Sequence, residues 1–237
     1  MSPSDEASLD AQRSITAQRR QPPAPDYRLV IQPTGEQVWH PGLNGSRLSS
    51  PPAPSEIFVH LSDLQDPYAT APEPLSGWDF QEFLRKSLAR WSGKAVTLYI
   101  ISFGGMLMRT SLLDQLGPIT AKPYRWQIVL ATDGSDLAST AMIDKLLNSP
   151  IHEIRFYPAG LAEGVGNTRN LNAAKDLLDL RRARGQKLPV LACRVCGRAT
   201  PPELAQWARQ VSVDRLDLAD RQTEERHLAG LLPVQAG

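Results

Sequence analysis

Between residues 56 and 218 the chain alternates short apolar, β-branched segments with longer segments whose apolar residues recur at helical spacing. This alternation predicts an α/β fold, because strand–helix–strand repeats place successive strands parallel through right-handed crossovers. Each unit uses about 30 residues, so the roughly 250 residues of a closed eightfold barrel cannot be accommodated. An open or partial barrel fits this length, and a doubly wound sheet fits it equally.

Six strands and five helices are expected in this region. The strands are predicted at 57–61, 96–103, 127–131, 153–157, 189–193 and 213–218. The helices are predicted to begin at about Ser76 and then to cover 112–119, 137–147, 168–184 and a segment after residue 200. Residues Thr200 to Glu203 have the pattern of a capping box with proline at the first helical position.

The flanking segments differ from this body in composition. Residues 1–26 are polar and end in a Pro-rich stretch, which predicts a disordered tail. Residues 27–54 hold two strand-like segments around a Pro-Thr-Gly-Glu turn and then a Gly-, Ser- and Pro-rich stretch, so we interpret them as a hairpin and linker. The barrel domain is placed at 55–220, and 221–237 is interpreted as a charged C-terminal tail.

The composition argues against several functional classes. Hydrophobic residues make up 41% and charged residues 22% of the 237 residues, which is ordinary for a soluble protein. With a net charge of +1, neither nucleic acid nor a membrane surface is expected as a partner. No apolar run approaches the roughly 20 residues of a membrane span, and the polar N-terminus does not have the pattern of a signal peptide. A cytoplasmic location is therefore expected.

Two glycine-containing turns follow the second and third predicted strands, namely Phe103-Gly104-Gly105-Met106 and Thr132-Asp133-Gly134. In order and spacing, these turns and the segment from Gly166 to Arg182 resemble the radical S-adenosylmethionine (radical SAM) superfamily over residues 56–218. The resemblance implies a partial (β/α)6 barrel of radical SAM type. The ligand-binding residues that it implies are Gly104, Gly105, Thr132, Asp133 and Gly134. Gly166 and Arg169 are added as candidates because the Gly-containing segment 164–169 precedes a helix and could bind an anion through its amides, or could be a plain loop and helix start.

The chain departs from that family at the cluster site. The family holds a 4Fe–4S cluster with a Cys-x3-Cys-x2-Cys pattern in the loop after the first strand. Here that loop, residues 61–75, contains no cysteine, and its Asp and Glu residues are poor substitutes for thiolates. Met106 also stands where the family has an acidic residue. No cluster and no other cofactor are therefore expected, although S-adenosylmethionine is left open as a ligand.

The preserved order of elements beside the missing cysteines favours a non-catalytic role. We expect a partner or scaffold subunit of another enzyme, which could itself be a radical SAM protein. The alternative is an enzyme or small-ligand-binding protein that binds S-adenosylmethionine or a nucleotide, without radical chemistry, at the carboxyl ends of the strands. Its polar contacts would be Asp63, Asp133, Glu163 and Arg169.

Two smaller features complete the set of candidates. Cys193 and Cys196 form a Cys-x-x-Cys pair, which could be a redox dithiol, half of a metal site, or one strand cysteine and one loop cysteine. Trp39, Tyr68 and Trp78 lie in or beside predicted loops. Aromatic residues in such positions could anchor a partner protein or could pack back onto the domain.

Overall fold

The computed structural model describes residues 27–40, 53–62, 79–120, 124–162 and 164–230. The strands in these ranges are β1 (Arg28–Ile31), β2 (Gln37–His40), β3 (Glu56–His60), β4 (Ala95–Ser102), β5 (Arg125–Thr132), β6 (Glu153–Phe156), β7 (Pro158–Leu161), β8 (Val190–Cys196) and β9 (Arg215–Ala219). The α-helices are α1 (Phe80–Arg90), α2 (Thr140–Asn148), α3 (Thr168–Ala183), α4 (Pro202–Val211) and α5 (Arg221–Leu228).

The fold is α/β, as the sequence pattern predicts. Eight strands of the described part form one sheet in the order β2-β1-β3-β4-β5-β6-β8-β9. Only β1 and β2 pair antiparallel, and every other pair is parallel. From β3 to β9 the strand order follows the chain without the reversal that defines a doubly wound sheet. Over the described residues the sheet is open, with β2 at one edge and β9 at the other.

The two faces of the sheet are covered differently. The outer face packs against α1 to α4 and holds the main core, in which strand residues such as Leu98 and Ile128 contact helix residues such as Leu84 and Leu177. The inner face carries the other half of each strand, because successive side chains alternate between faces. Its smaller apolar cluster includes Phe58 and Tyr99 together with side chains of α5 and of the loop region near β7.

The N-terminal hairpin forms as expected, with Arg28 opposite His40 and Ile31 opposite Gln37. Its first strand also pairs in parallel with β3, so the hairpin belongs to the same sheet as the rest of the strands. Trp39 is only 9% exposed and packs edge-on against Trp91, with ring centroids 6.1 Å apart. It therefore packs back onto the domain, whereas Tyr68 and Trp78 lie outside the described residues.

Two of the predicted helices need correction. The segment after β4 forms three short 3-10 helices, at Met106–Arg109, Leu112–Gln115 and Gly117–Thr120, where one α-helix was expected. The Gly117-Pro118 step explains part of this, since proline removes a backbone donor and glycine weakens a helix. In α4 the N-cap is Pro201, with no side-chain cap, so Thr200 does not form the expected capping box.

The C-terminal segment differs most from its prediction. The first part of the expected charged tail forms α5, whose N-cap Asp220 accepts a hydrogen bond from the Thr223 N–H at 2.8 Å. The start of α1 differs too, because Asp79 caps it through the Glu82 N–H, while the expected start at Ser76 lies outside the described residues. Among the residues described, no helix is long and apolar enough to cross a membrane.

Candidate functional site

The two glycine turns predicted from the sequence meet at the carboxyl edge of the sheet. Ser102 at the end of β4 is in register with Thr132 at the end of β5, so the chain segments that follow these residues are neighbours. Carboxyl ends of parallel strands are where α/β proteins commonly place ligands. The structure therefore brings together Gly104, Gly105, Thr132, Asp133 and Gly134, as the sequence predicts.

Asp133 connects the two turns through its carboxylate. Its Oδ2 accepts a hydrogen bond from the Gly104 N–H at 3.3 Å and another from the Ser135 hydroxyl at 3.1 Å. Its Oδ1 accepts one from the Ser135 N–H at 3.0 Å. The Asp133 backbone carbonyl also accepts a hydrogen bond from the buried Asn170 side chain at the start of α3. Asp133 thus holds β4, β5 and α3 together at this edge.

A second carboxylate lies below the first and is fully buried. Asp136 accepts hydrogen bonds from the Ser102 hydroxyl at 2.7 Å, the Thr132 hydroxyl at 3.1 Å and the Leu107 N–H at 3.0 Å. Burial raises the pKa of Asp136 to about 6, and the nearby Asp133 charge acts in the same direction. Asp136 was not predicted from the sequence, because the Ser-Asp step after a Gly turn indicates only a helix start.

The raised pKa of Asp136 leads to a prediction about pH. The Asp136 carboxyl binds its proton more tightly in the folded protein than in the unfolded chain. Protonated Asp136 therefore adds to the free energy of unfolding below the unfolded pKa of 3.8, and this stabilisation is lost as pH rises through the folded pKa of about 6. We expect the wild-type stability, relative to Asp136→Asn, to fall by about 3 kcal/mol between these limits. Urea unfolding of both proteins across this range measures the difference. A difference independent of pH would contradict the burial of an ionisable Asp136.

The glycines of this edge are packed against the chain's own atoms. A Cβ on Gly134, whose φ is 92°, would lie 2.7 Å from the Phe156 ring, and one on Gly105 would lie 3.2 Å from the Met108 methyl group. A Cβ on Gly166 would lie 2.0 Å from the Pro158 carbonyl oxygen. Protein atoms therefore occupy the space at these three glycines that a ligand would need for a close approach to the backbone.

The remaining predicted ligand residues lie at the start of α3. Asn167 caps this helix by accepting a hydrogen bond from the Arg169 N–H at 2.8 Å, so this amide is satisfied within the chain. The Arg169 side chain is exposed, and the buried Asn170 beside it is the residue that reaches the turn. Asp63 and Glu163, the other expected polar contacts, lie outside the described residues.

The Cys-x-x-Cys pair is divided between the two faces of the sheet. Both residues lie within β8, which continues to Cys196, so the expected loop position of the second cysteine is wrong. Cys193 belongs to the outer-face core and Cys196 to the inner-face cluster, as three-residue spacing in a strand requires. Burial raises the pKa of Cys193 to about 12 and that of Cys196 to about 11. This geometry does not allow them to act as one dithiol or to share one metal ion.

Elsewhere in the described ranges, no three His, Cys, Asp or Glu residues are arranged so that they could hold one metal ion.

The inner face of the sheet holds a charged cluster that the sequence analysis missed. We call it the inner-face charge network. Tyr157, between β6 and β7, belongs to it, as do Glu224 and His227 on α5; its members on the strands are Arg28, Glu56, Tyr99, Glu153, Arg155, Arg194, Arg215 and Asp217. Among these residues the four arginines are balanced by four carboxylates. Such pairing is required when charges are removed from water.

Glu224 of α5 connects the helix to two strands. Its carboxylate accepts a hydrogen bond from the Tyr157 hydroxyl at 2.5 Å and forms an ion pair with Arg194 at 2.9 Å. Arg194 also contacts Asp217 on β9 at 3.1 Å. Burial opposes ionisation of Glu224, but the hydrogen bonds from Tyr157 and Arg194 outweigh it and lower the pKa of Glu224. The carboxylate is therefore charged at neutral pH, although Glu224 is only 4% exposed.

His227, one turn further along α5, packs over the middle of the sheet. Its Nε2 accepts a hydrogen bond from Arg155 at 3.0 Å, and its ring lies edge-on to Tyr99 at 5.1 Å. Burial, together with the positive charge of Arg155, lowers the pKa of His227 to about 4. The imidazole is thus neutral near pH 7, and its proton lies on Nδ1, because Arg155 can only donate.

No model of a protein family, no curated protein and no solved structure matches this chain. The function is therefore inferred from the geometry and chemistry of these two regions.

Proposed function

We propose that this protein is a non-catalytic partner or scaffold subunit of another enzyme. In this proposal the sheet is a partial (β/α)6 barrel of radical SAM type that has lost its 4Fe–4S cluster and works in the cytoplasm, and the partner enzyme could be a radical SAM protein. The sequential parallel order from β3 to β9 and the two glycine turns after β4 and β5 are consistent with this fold.

The placement of α5 carries the proposal. An open α/β barrel that acts on a substrate needs an accessible concave region for it. Here α5 covers the inner face. Glu224 is hydrogen-bonded to Tyr157 and ion-paired with Arg194, and His227 is hydrogen-bonded to Arg155. The polar side chains best suited to bind a substrate on this face therefore already form hydrogen bonds and ion pairs within the protein.

The carboxyl edge supports the same proposal. In the radical SAM family the double-glycine segment approaches the methionine end of the cofactor. In this chain the Gly104 N–H donates to Asp133, and the Leu107 N–H donates to Asp136 and to the Ser102 hydroxyl. Backbone N–H groups of this segment thus donate their hydrogen bonds to carboxylates of the protein itself.

The edge strand β9 is the surface that we assign to the partner. Leu216 is 37% exposed and Leu218 is 51% exposed, and in the described part of the chain no strand lies on the outer side of β9. Natural proteins usually protect such edges with charges. Arg215 and Asp217 are charged, but both are engaged in the inner-face charge network. The leucines are left to contact another protein.

Purification of the tagged chain from its native source tests this proposal. We expect a second protein to co-purify in equal amount, and its recovery to fall by about tenfold when Leu216 and Leu218 are both replaced by Lys, since apolar anchors dominate interfaces. Met108→Lys is the matched control, because Met108 is 46% exposed and lies away from β9. Mixing the two purified proteins should restore the same complex.

Three results would contradict the proposal. Two of them are a wild-type chain that purifies as a monomer and a complex that the double Lys variant retains. The other is a stable absorption near about 400 nm, with about four irons per chain, after anaerobic reconstitution, because it would indicate a 4Fe–4S cluster.

A second candidate function is small-ligand binding at the carboxyl edge, with or without catalysis. The observation in its favour is the raised pKa of Asp136 beside the Asp133 carboxylate, since perturbed acids mark many functional sites. A thermal-shift screen with S-adenosylmethionine, S-adenosylhomocysteine and nucleotides tests it. A shift that is lost in Asp133→Asn would favour this candidate over the scaffold, and the absence of any shift would count against it.

A further inference from the structure

A cavity of about 620 Å³ lies at the amino edge of the sheet, below β5, β6 and β8. Its lining includes Trp126 near the start of β5, six residues before Thr132 at the opposite edge. At about 3.3 Å per residue, the two edges are about 20 Å apart. The volume falls within the range of roughly 300–1,000 Å³ that is usual for small-molecule sites. The cavity is therefore separate from the glycine turns, and no residue of α5 is part of its described lining.

The apolar part of the lining is mainly aromatic and branched aliphatic. Trp126 is only 4% exposed, while Leu188 at the rim is 49% exposed and leaves a large apolar surface open to water. The other apolar residues of the described lining are Ile119, Tyr124, Leu147, Pro150 and Ile151. Such a surface binds a planar, apolar molecule through burial and ring contacts.

The polar side chains among the described residues of the lining include no carboxylate. Lys187 is the one lysine among those described residues, and His152 accepts a hydrogen bond from the Ile128 N–H at Nδ1, which places a ring N–H on Nε2. The Trp126 indole N–H is buried and has no hydrogen-bond partner among the described residues. A buried donor of this kind is normally satisfied by an acceptor. The Lys187 cation and the His152 N–H, with no carboxylate among the described lining residues, suit an anion.

We propose that this cavity is a binding site for a small aromatic carboxylate. The ring system would lie against Trp126 and Leu188, and the carboxylate would accept hydrogen bonds from Lys187 and His152. The site does not depend on the scaffold function, since it lies at the opposite edge of the sheet.

Titration calorimetry with 2-naphthoate tests the site, with the neutral 2-naphthamide as the comparison ligand. We expect saturable binding of one naphthoate per chain, and binding of the amide that is weaker by about tenfold, because a charge-assisted hydrogen bond contributes about 1.5–3 kcal/mol. Lys187→Glu should weaken naphthoate binding by at least about tenfold. Lys94→Glu, an exposed lysine outside the lining, should change it by less than about twofold.

The indole signals of the five tryptophans provide an independent readout by NMR. The signal that disappears in Trp126→Phe should shift when 2-naphthoate is added to the wild-type protein. The proposal is overturned if naphthoate does not saturate, if Lys187→Glu binds it as well as Lys94→Glu does, or if the Trp126 signal is unmoved. Equal binding of acid and amide would overturn the carboxylate assignment.

Discussion

Replacing Glu224 by Ala is expected to lower the free energy of unfolding by about 3 kcal/mol, because removal of one partner from a buried ion pair leaves the other uncompensated. Arg194 would keep its contact with Asp217, but the Tyr157 hydroxyl would lose its acceptor. Tyr157 is fully buried, so the unsatisfied hydroxyl adds to the cost. Equilibrium unfolding in urea, followed by circular dichroism at neutral pH, measures the change.

Glu225 offers a matched control on the same helix. It is the neighbouring residue, and its carboxylate pairs with Arg221 in a surface i, i+4 contact. Glu225→Ala should therefore cost no more than about 0.5 kcal/mol, as is usual for exposed pairs. If both variants lose the same stability, α5 is held by helix propensity or apolar packing, and the ion pair with Arg194 is not what seats it. If Glu224→Ala is as stable as wild type, the inner-face contact of α5 is wrong.

The strands themselves were predictable because each strand–helix unit leaves a local pattern, whereas their order in the sheet was left open between a partial barrel and a doubly wound sheet. The apolar, β-branched stretch before Gly104 predicted β4, and similar stretches predicted β3, β5, β6, β8 and β9 to within a few residues. Neighbouring turns at Gly104 and Gly134 followed from parallel pairing alone. Local periodicity and the rules of parallel crossovers are sufficient for this level of detail.

In the segment after β4, the sequence predicted which residues are buried but not which type of helix they form. Leu112, Leu113, Leu116 and Ile119 are all buried, as their spacing predicts. They lie in two short 3-10 helices or, for Leu116, between them, because Thr110 and Pro118 interrupt the segment, the former through its hydroxyl bond to the Leu107 carbonyl. Apolar periodicity therefore identified the inward residues but not the backbone hydrogen bonding.

The inner face was not predictable from local pattern. In α5 the buried side chains are Glu224 and Leu228, so the helix has little of the apolar stripe by which helices are recognised. Its burial depends on partners such as Tyr157, which is 67 positions away in the chain. Alternating charges, as in Arg215 and Asp217, indicated only that one face of a strand is polar. Which charges meet is determined by sheet register and by the path of the chain after β9.

The carboxyl edge shows the same limit at the level of single hydrogen bonds. The Thr132-Asp133-Gly134 turn was recognised, but its resemblance to a ligand-binding turn does not reveal that Asp133 bonds the Gly104 N–H. Nor does it reveal that Asp136 turns inward to Ser102, 34 positions earlier. These bonds decide whether the turn amides face a ligand or the protein.

Gly134→Ala is expected to lower the free energy of unfolding by at least about 3 kcal/mol. A non-glycine residue in the left-handed region costs about 1–2 kcal/mol, and Gly134 has a φ of 92°. The new methyl group would also lie 2.7 Å from the Phe156 ring and 3.0 Å from the Asn170 Cβ. Both neighbours are buried, so they cannot move away cheaply.

Gly93→Ala separates the two contributions. Gly93 also has a positive φ, 75°, but a Cβ there would meet no atom within 4 Å. Its replacement should cost only about 1 kcal/mol, the conformational part alone. Urea unfolding of both variants measures the difference, which reports the contact between the turn after β5 and the start of α3. If both variants lose the same free energy of unfolding, the turn accommodates the Gly134→Ala methyl group without an added cost, and the carboxyl edge has room for a ligand next to Gly134.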